Sequence, residues 1–414
     1  MIDYRHILNQ KIVTLKQSGS YRYFLDVNKS AQHFPRFYFE TANGEKKQAV
    51  NWCSNDYMCM SVNEAVISKL SYVAHKSGSG SGGTRNISGT TNYHRELENT
   101  IAALHNKDSA LLFGGAYLAN LTALGTLGKL FSDAVFISDE ENHASIIEGI
   151  RSTGCEKLIF KHNDLHDLES VLKSLPVLQP KILVFESVYS ISGTIAPVKE
   201  IMALAKKYNC LTYVDEVHAV GLYGEDGAGV LASHGLQQHI DIINGTLAKG
   251  FGVIGGYIAA DKVITDAIRS FGSGFIFTTS LPPAICAAAT KSIQLLQANP
   301  DSRKKFHENI FLFREILLEN RIPFNNNPSH ITPVPVGDAT ICKKIADRLL
   351  HEYGIYLQPV NYPTVKRGEA CLRITVTIKH TEADMHYLAA GLKKVMKEEL
   401  NFSFINKIQH SVFG

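Results

Sequence analysis

An α/β fold, with a large and mostly parallel sheet followed by a smaller C-terminal α+β domain, is the architecture this sequence predicts. From about residue 49 to 298, short apolar runs alternate with helical patterns, as they do when crossover helices cover both faces of a parallel sheet. Apolar runs in this stretch lead into Ser138, Ser190, Asp215 and Lys249, and ligands of such sheets sit beyond the carboxyl ends of the strands. Asn299-Pro-Asp-Ser-Arg then breaks the alternation, and the remainder of the chain mixes one long helix with shorter strands.

Taken in order, residues 1–48 read as an arm: a polar helix, then mixed segments. Strands are predicted in the domain 49–298 at Ala110–Phe113, Ala134–Ile137, Lys157–Phe160, Ile182–Phe185, Leu211–Val214, Asp241–Ile243, Gly256–Ala259 and Phe275–Phe277. Helical patterns between them include Asn92–Leu104, Val198–Tyr208 and Lys262–Ser270. Residues 299–414 read as a helix through Glu319, strands at His330–Val336, Ile355–Val360 and Cys371–Thr377, and a terminal helix. Ser77-Gly-Ser-Gly-Ser-Gly-Gly83 is the one biased stretch, and alone it reads as a flexible linker.

Bulk properties narrow the function. A chain of 414 residues with 45% hydrophobic and 20% charged residues has the balance of a soluble globular protein. A net charge of +3 is too small to argue for nucleic acid or an anionic membrane as partner. Cysteines 53, 59, 155, 210, 286, 342 and 371 make no Cys-x-x-Cys pair, which favours a reducing compartment over a disulfide framework. No apolar run is long enough to span a membrane, and Met1-Ile-Asp-Tyr-Arg-His opens no signal core. A cytoplasmic protein without a metal is expected.

The chemistry lies in two motifs. Asp215-Glu-Val-His218 ends the buried run Cys210–Asp215, and Gly245-Thr-Leu-Ala-Lys249-Gly-Phe-Gly follows the run His239–Asn244. Singly, an Asp-Glu pair at a strand end also caps helices, and a lysine among glycines is also a solvated loop charge. Together they supply what pyridoxal 5'-phosphate (PLP) needs: a carboxylate that keeps the pyridine nitrogen protonated and an amine that carries the cofactor covalently. His143, in Glu141-Asn-His-Ala-Ser145, has an imidazole able to stack on the ring, and His218 is placed to bond its phenolic oxygen. Thr246, the hydroxyls of Phe277-Thr278-Thr279-Ser280, and the turn Gly114-Gly115-Ala116-Tyr117 between a strand and a helix are candidate phosphate ligands. Arg373 can fork onto a substrate carboxylate, although a surface ion pair is the commoner fate of a strand arginine. Asn55 also reads as a turn residue.

These residues stand in a set that resembles the α-oxoamine synthases, and within them the aminolevulinate-forming branch. The likeness runs from about Tyr21 almost to the C-terminus. It is carried by Trp-Cys-Ser-Asn-Asp-Tyr (52–57), Gly-Gly-Thr-Arg-Asn-Ile-Ser-Gly-Thr (82–90), Asn-His-Ala-Ser (142–145), Val-Asp-Glu-Val-His-Ala-Val-Gly-Leu-Tyr-Gly (214–224), Asn-Gly-Thr-Leu-Ala-Lys (244–249), Gly-Phe-Ile-Phe-Thr-Thr-Ser-Leu-Pro-Pro (274–283) and Asn-Tyr-Pro-Thr-Val-x-Arg-Gly (361–368). The resemblance implies PLP-dependent fold type I, the aspartate-aminotransferase-like fold, and a condensation of glycine with succinyl-CoA. It implies that Lys249 carries the cofactor and moves the glycine α-proton, with Asp215 on the ring nitrogen, His143 on the ring and His218 on its oxygen. Gly115, Ala116, Tyr117, Ser190 and Thr246 would complete the cofactor shell. Thr278 and Thr279 would reach the phosphate from a neighbouring subunit, which implies a homodimer. Asn55 and Arg373 would hold the glycine carboxylate. Arg22, Thr84 and Asn86 would recognise the succinyl carboxylate, and Ser138, Lys157 and Thr364 would make other acyl-CoA contacts.

The chain departs from that branch at several points. It has Gly114-Gly115 for Ser-Ser, Asn120-Leu121 for Asn-Asp, Ser190-Ile-Ser-Gly193 for Ser-Met-Asp-Gly, Gly250 for Ala, and Ile374–Lys379 for a proline-bearing stretch. Such changes leave room for another acyl-CoA or amino acid, as in glycine C-acetyltransferase, 8-amino-7-oxononanoate synthase or α-hydroxyketone signal synthases. A ligand-sensing module is the reading from another class, and the short arm and small charge speak against it.

Overall fold

A computed structural model describes residues 2–400 of the chain. Contacts divide it into two compact units, one formed by residues 55–190 and 194–304, the other by residues up to Ser54, residues 191–193 and residues from Lys305 on.

The first unit is built on a seven-stranded sheet. Its order is Ser109–Phe113, Gly256–Ala260, Ile242–Thr246, Leu211–Asp215, Lys181–Glu186, Val135–Asp139, Glu156–Phe160. Gly256–Ala260 runs antiparallel to both neighbours, and the remaining contacts are parallel. Seven of the eight strands predicted for this region therefore exist, within three residues of the expected ends. Val135, Phe136, Leu183, Val184, Tyr213, Val214, Ile242 and Ile258 are fully buried, as a sheet covered on both faces requires.

The eighth predicted strand, Phe275–Phe277, is a short helix, Ser273–Ile276, following the helix Lys262–Phe271. Gly272 and Gly274 decide this. A methyl group at Gly272 would press on Thr122 at 2.8 Å, and one at Gly274 would collide with the Thr122 hydroxyl on the helix Ala116–Leu130. That approach seats Phe275 edge-on against Phe113, ring centroids 5.6 Å apart, and leaves Phe277 exposed. Alternating Phe-Ile-Phe fits a strand, but backbone-to-helix packing that only glycine permits overrides it.

Glycine also sets the strand that leads to Lys249. Gly245 lies opposite Tyr257 in the register of neighbouring strands, and a Cβ there would enter the Tyr257 ring. The ring cannot swing away freely, because the Tyr257 hydroxyl is bonded to His105 Nε2 at 2.9 Å in the fully buried core. Gly245→Ala is expected to destabilise this unit by about 1–3 kcal/mol, the usual overpacking range, read as a lower denaturant midpoint with an unchanged slope.

The other unit has a four-stranded sheet, ordered Asn28–Lys29, Arg36–Glu40, Lys46–Asn51, Ile355–Tyr356, and a three-stranded sheet, ordered Ile331–Gly337, Ala370–Thr375, Pro359–Val360. The segment read as mixed after the N-terminal helix thus supplies three strands to a sheet completed by residues three hundred positions on. Trp52 is sandwiched between His380, centroids 3.9 Å apart, and Phe313 at 5.9 Å. Thr375 donates from its hydroxyl to Ser54 O at 2.8 Å and from its amide to Trp52 O at 2.8 Å. The Ile374–Lys379 stretch is therefore anchored at Thr375. Among the described residues, no helix is long and apolar enough to cross a membrane.

Candidate active site

Asp215 closes the central strand Leu211–Asp215 and is buried. Three N–H groups converge on its carboxylate. Oδ1 accepts from Val217 N at 2.8 Å, and Oδ2 accepts from Asn120 Nδ2 at 2.8 Å and Asn244 Nδ2 at 3.0 Å. A carboxylate offers about four lone-pair positions, so one remains for a further donor.

His143 caps the helix Ala144–Arg151, where its Nδ1 accepts from Ser145 N at 3.2 Å and lies 2.8 Å from Ser145 Oγ. Its amide donates to Glu186 Oε1 at 2.6 Å. The surrounding protein, and Lys249 after it, hold the imidazole below its ordinary pKa against the opposing pull of Asp215. The Tyr117 ring stands edge-on to it, centroids 6.3 Å apart. His218 is buried, with Nδ1 3.0 Å from the Tyr57 hydroxyl, which donates to Asn55 Oδ1 at 3.0 Å. One proton cannot serve both bonds, so with this polarity Tyr57 accepts from His218 Nδ1 and fixes its ring.

Lys249 sits half-buried in a tight turn after the strand Ile242–Thr246. Leu247 N donates to Gly255 O at 2.9 Å, Val253 N to Leu247 O at 2.8 Å, and Gly252 N to Lys249 O at 3.0 Å. Thr246 braces the same turn: its hydroxyl donates to Gly255 O at 3.1 Å and accepts from Ala248 N at 3.1 Å. A methyl at Gly250 would collide with Val220 O, so this backbone spacing requires the glycine found where the resembling branch has alanine.

Gly115 and Ala116 open the fifteen-residue helix Ala116–Leu130. A Cβ built on Gly114 or Gly115 meets nothing within 4 Å. Side-chain-free backbone at a helix N-terminus is a natural anion site. Thr278, Thr279 and Gly114 line one small cleft of the same chain, and Thr279 bridges to Thr84 in antiparallel fashion. Ser280 ties this contact down, its hydroxyl donating to Gly89 O at 2.6 Å.

Other candidates are placed less centrally. Thr84 donates to Asn86 Oδ1 at 2.7 Å, so these two form a pair. Ser138 is buried at the carboxyl end of Val135–Asp139, where its hydroxyl accepts from Asn142 Nδ2 at 2.8 Å. Ser190 is half-buried in the loop after the strand Lys181–Glu186. Lys157 lies near the amino end of the edge strand Glu156–Phe160, paired with Phe136, and is exposed. The sheet therefore does not bring it to the edge that holds Asp215. In the other unit, the Arg22 guanidinium donates to Thr364 Oγ1 at 3.2 Å. Arg373 is buried on Ala370–Thr375, opposite Pro333 and near Cys53. Burial pushes the Cys53 thiol up to about 12 despite that arginine, which removes it as a nucleophile.

Three groups escaped the sequence reading. Glu186, paired in register with Asp215, is pushed well above the carboxylate range, first by burial and then by the Asp215 charge. Asn120 and Asn244 hold Asp215. Glu186 ends an apolar strand as Asp215 does, so the rule that found one acid extends to the other.

The donor set fits PLP. One acceptor position on a buried carboxylate suits a protonated ring nitrogen, a neutral imidazole suits the ring face, and bare backbone at a helix start suits a phosphate. Residues 47–392 match the aminotransferase class I and II family. The chain is 47% identical over 391 residues to the 5-aminolevulinate synthase of Rhizobium meliloti (strain 1021), covering 94% of this chain and 96% of that one. It is 45% identical over 394 residues to the same enzyme of Bradyrhizobium diazoefficiens, covering 95% and 96%. The chain belongs to the 5-aminolevulinate synthase family. Among solved structures, a serine palmitoyltransferase from S. paucimobilis with bound PLP–myriocin superimposes with a TM-score of 0.87 at 29% identity, over 96% of this chain and 99% of that one. The PLP fold type I expected from the sequence is thus the fold observed, and membership of the synthase family favours enzyme over sensor.

Proposed function

We propose that this protein is a 5-aminolevulinate synthase that condenses glycine with succinyl-CoA on PLP, releasing CoA and CO2. The observation that carries the reading is Asp215, a buried strand-end carboxylate with one acceptor position left, in a chain whose near-full-length relatives bear that name. Bound PLP supplies a cationic ring that takes up the electron pair of a breaking bond at the substrate carbon. Asp215 holds the proton at the ring nitrogen. Lys249 Nζ anchors the cofactor at rest and, once released by glycine, takes the α-proton. His143, neutral, covers the ring without adding a positive charge that would oppose the ring's own. His218, oriented by Tyr57, is assigned to the phenolic oxygen, and Ser190 and Thr246 to the remaining cofactor shell. The opening of the helix Ala116–Leu130 (Gly115, Ala116, Tyr117) is assigned to the phosphate, with Thr278 and Thr279 reaching it from the neighbouring subunit. Asn55 and Arg373 are assigned to the glycine carboxylate, and Ser138, Lys157 and Thr364 to acyl-CoA.

The deciding assay is purified protein with PLP, glycine and succinyl-CoA. Aminolevulinate and free CoA should appear in equal amounts. Equal turnover of acetyl-CoA or butyryl-CoA would overturn the substrate assignment. Arg22, with Thr84 and Asn86, is our candidate for the distal carboxylate of the acyl group. Losing a hydrogen bond to a charged group weakens binding by about 1.5–3 kcal/mol. Arg22→Leu is therefore expected to lower kcat/KM for succinyl-CoA roughly 10- to 100-fold and to narrow its preference over butyryl-CoA. An unchanged preference refutes the role of Arg22.

A homodimer is our assignment for the assembly. The helix Tyr4–Gln17 buries none of its residues and exposes Tyr4, Ile7, Leu8, Ile12, Val13 and Leu15. So much apolar surface on one short helix calls for cover. The cysteines, all of them buried or half-buried thiols, favour the cytoplasm.

A further inference from the structure

We propose that Asn120 is a positioning residue that locks Asp215 and His143 into one hydrogen-bonded unit, so that the carboxylate for the ring nitrogen and the imidazole over the ring are set together. Asn120 Nδ2 donates to Asp215 Oδ2 at 2.8 Å and to Ser145 Oγ at 2.9 Å. Its Oδ1 accepts from the Tyr213 hydroxyl at 2.7 Å. Asn120, Ser145, Tyr213 and Asp215 are all buried, so water does not substitute for a missing partner.

The polarity of this chain is determined. Asp215 only accepts, so the Asn120 amide must present its nitrogen to it, and a flipped amide would set oxygen against oxygen. Burial, and then the Asp215 charge, keep Tyr213 a phenol well past its usual range, hence a donor to Oδ1. Ser145 Oγ accepts a hydrogen bond from Asn120 Nδ2, so its own hydrogen is directed to His143 Nδ1, 2.8 Å away. His143 Nδ1 must then be an acceptor, and the ring proton sits on Nε2. The relay Tyr213–Asn120–Ser145 thereby reinforces the neutral tautomer of His143 that the Ser145 amide also favours. The other charged groups around that ring are Asp215 and Lys249, with Glu186 at its amide and Tyr117 at its edge.

Asn120 lies on the helix Ala116–Leu130 beside Leu121. Consecutive helical residues are turned by about 100°, so Asn120 faces Asp215 and Leu121 does not share that direction. The departure at position 121 therefore leaves the relay intact.

The inference rests on the PLP reading for its purpose, but its test does not. In cofactor-free protein carrying ¹⁵N-labelled histidine, NMR should show His143 neutral and protonated on Nε2 near neutral pH. Ser145→Ala should weaken that tautomer preference, which the Ser145 amide alone then supports, while leaving the pH midpoint of the bound PLP absorbance unchanged. Asn120→Leu should disturb both and raise the PLP Kd at least about tenfold, the effect of losing one charge-assisted bond. Asn120→Asp keeps the shape but sets a second carboxylate against Asp215. It should raise the pH at which the bound ring nitrogen loses its proton by about one unit or more, because added negative charge beside the ring favours its cationic form. If Asn120→Leu does not fold, the Asp and Ala variants decide. A His143 tautomer unmoved in Ser145→Ala, or an absorbance midpoint unmoved in Asn120→Asp, overturns the relay. Wild-type protein that binds no PLP, yet shows the tautomer and its weakening in Ser145→Ala, sinks the functional reading and leaves the relay standing.

Discussion

Lys249→Ala is expected to abolish measurable aminolevulinate formation while leaving the fold and non-covalent PLP binding in place. The side chain is half-buried, and the turn that carries it is held by backbone bonds at Leu247, Gly252 and Val253 and by the Thr246 hydroxyl. None of these requires the lysine amine, so truncation should not loosen the turn. What is lost is the proton carrier, and a positioned acid–base group contributes roughly 10²–10⁴-fold, with the loss of the covalent anchor added to that. Lys249→Arg should fail almost as badly, because a guanidinium does not give up its proton at working pH and is not a nucleophile there. Borohydride treatment of the wild-type holoenzyme followed by peptide mass spectrometry should find a pyridoxyl group on Lys249 and nowhere else. A label on another residue, or activity within tenfold of wild type in Lys249→Ala, would remove the basis of the mechanism.

The parts of this protein that were legible in its sequence are those written in local patterns. Short runs of three or four residues pointed to seven of the sheet strands, and an acid closing one of them marked Asp215. The turn bearing Lys249 was legible for a similar reason, since glycines crowd where backbones touch, and Gly245, Gly250 and Gly252 each border another chain segment closely. What was not legible depends on residues far apart in sequence. Asn120 reaches Asp215 across 95 positions and Asn244 reaches it across 29. Asn120 also sits among Leu and Ala on a helix apolar on most sides, where no polar face stands out. Phe275 misled because an apolar alternation of three residues is too short to separate strand from helix. The evidence against a strand, a threonine on another helix touching Gly272 and Gly274, is tertiary.

Asp215→Asn is the more searching of the two large-effect substitutions, because it keeps size and shape and changes only charge and donor pattern. Asparagine has one acceptor oxygen where aspartate has two. If that oxygen stays with Val217 N, the new amide faces the Nδ2 groups of Asn120 and Asn244, and donors confront donors. Turned the other way, the new amide confronts Val217 N and the ring nitrogen. Asn120 cannot relieve the conflict by flipping, since the Tyr213 hydroxyl holds its oxygen and Ser145 takes its second hydrogen. Each buried donor left without an acceptor costs about 1–3 kcal/mol, so the variant should unfold at a lower denaturant concentration although no volume was removed. The loss in turnover should be larger still. Without an anionic partner the ring nitrogen sheds its proton, and electrostatic groups of this kind contribute roughly 10²–10³-fold or more to the rate. Asp215→Glu keeps the charge but pushes it one methylene further into a filled site, so it should recover the absorbance of a protonated ring while remaining slow. Titrating the bound-cofactor absorbance against pH in wild type, Asp215→Asn and Asp215→Glu separates charge from placement. If the asparagine variant keeps both the wild-type titration curve and a kcat within a few-fold, the proton on the ring is held by something other than this carboxylate.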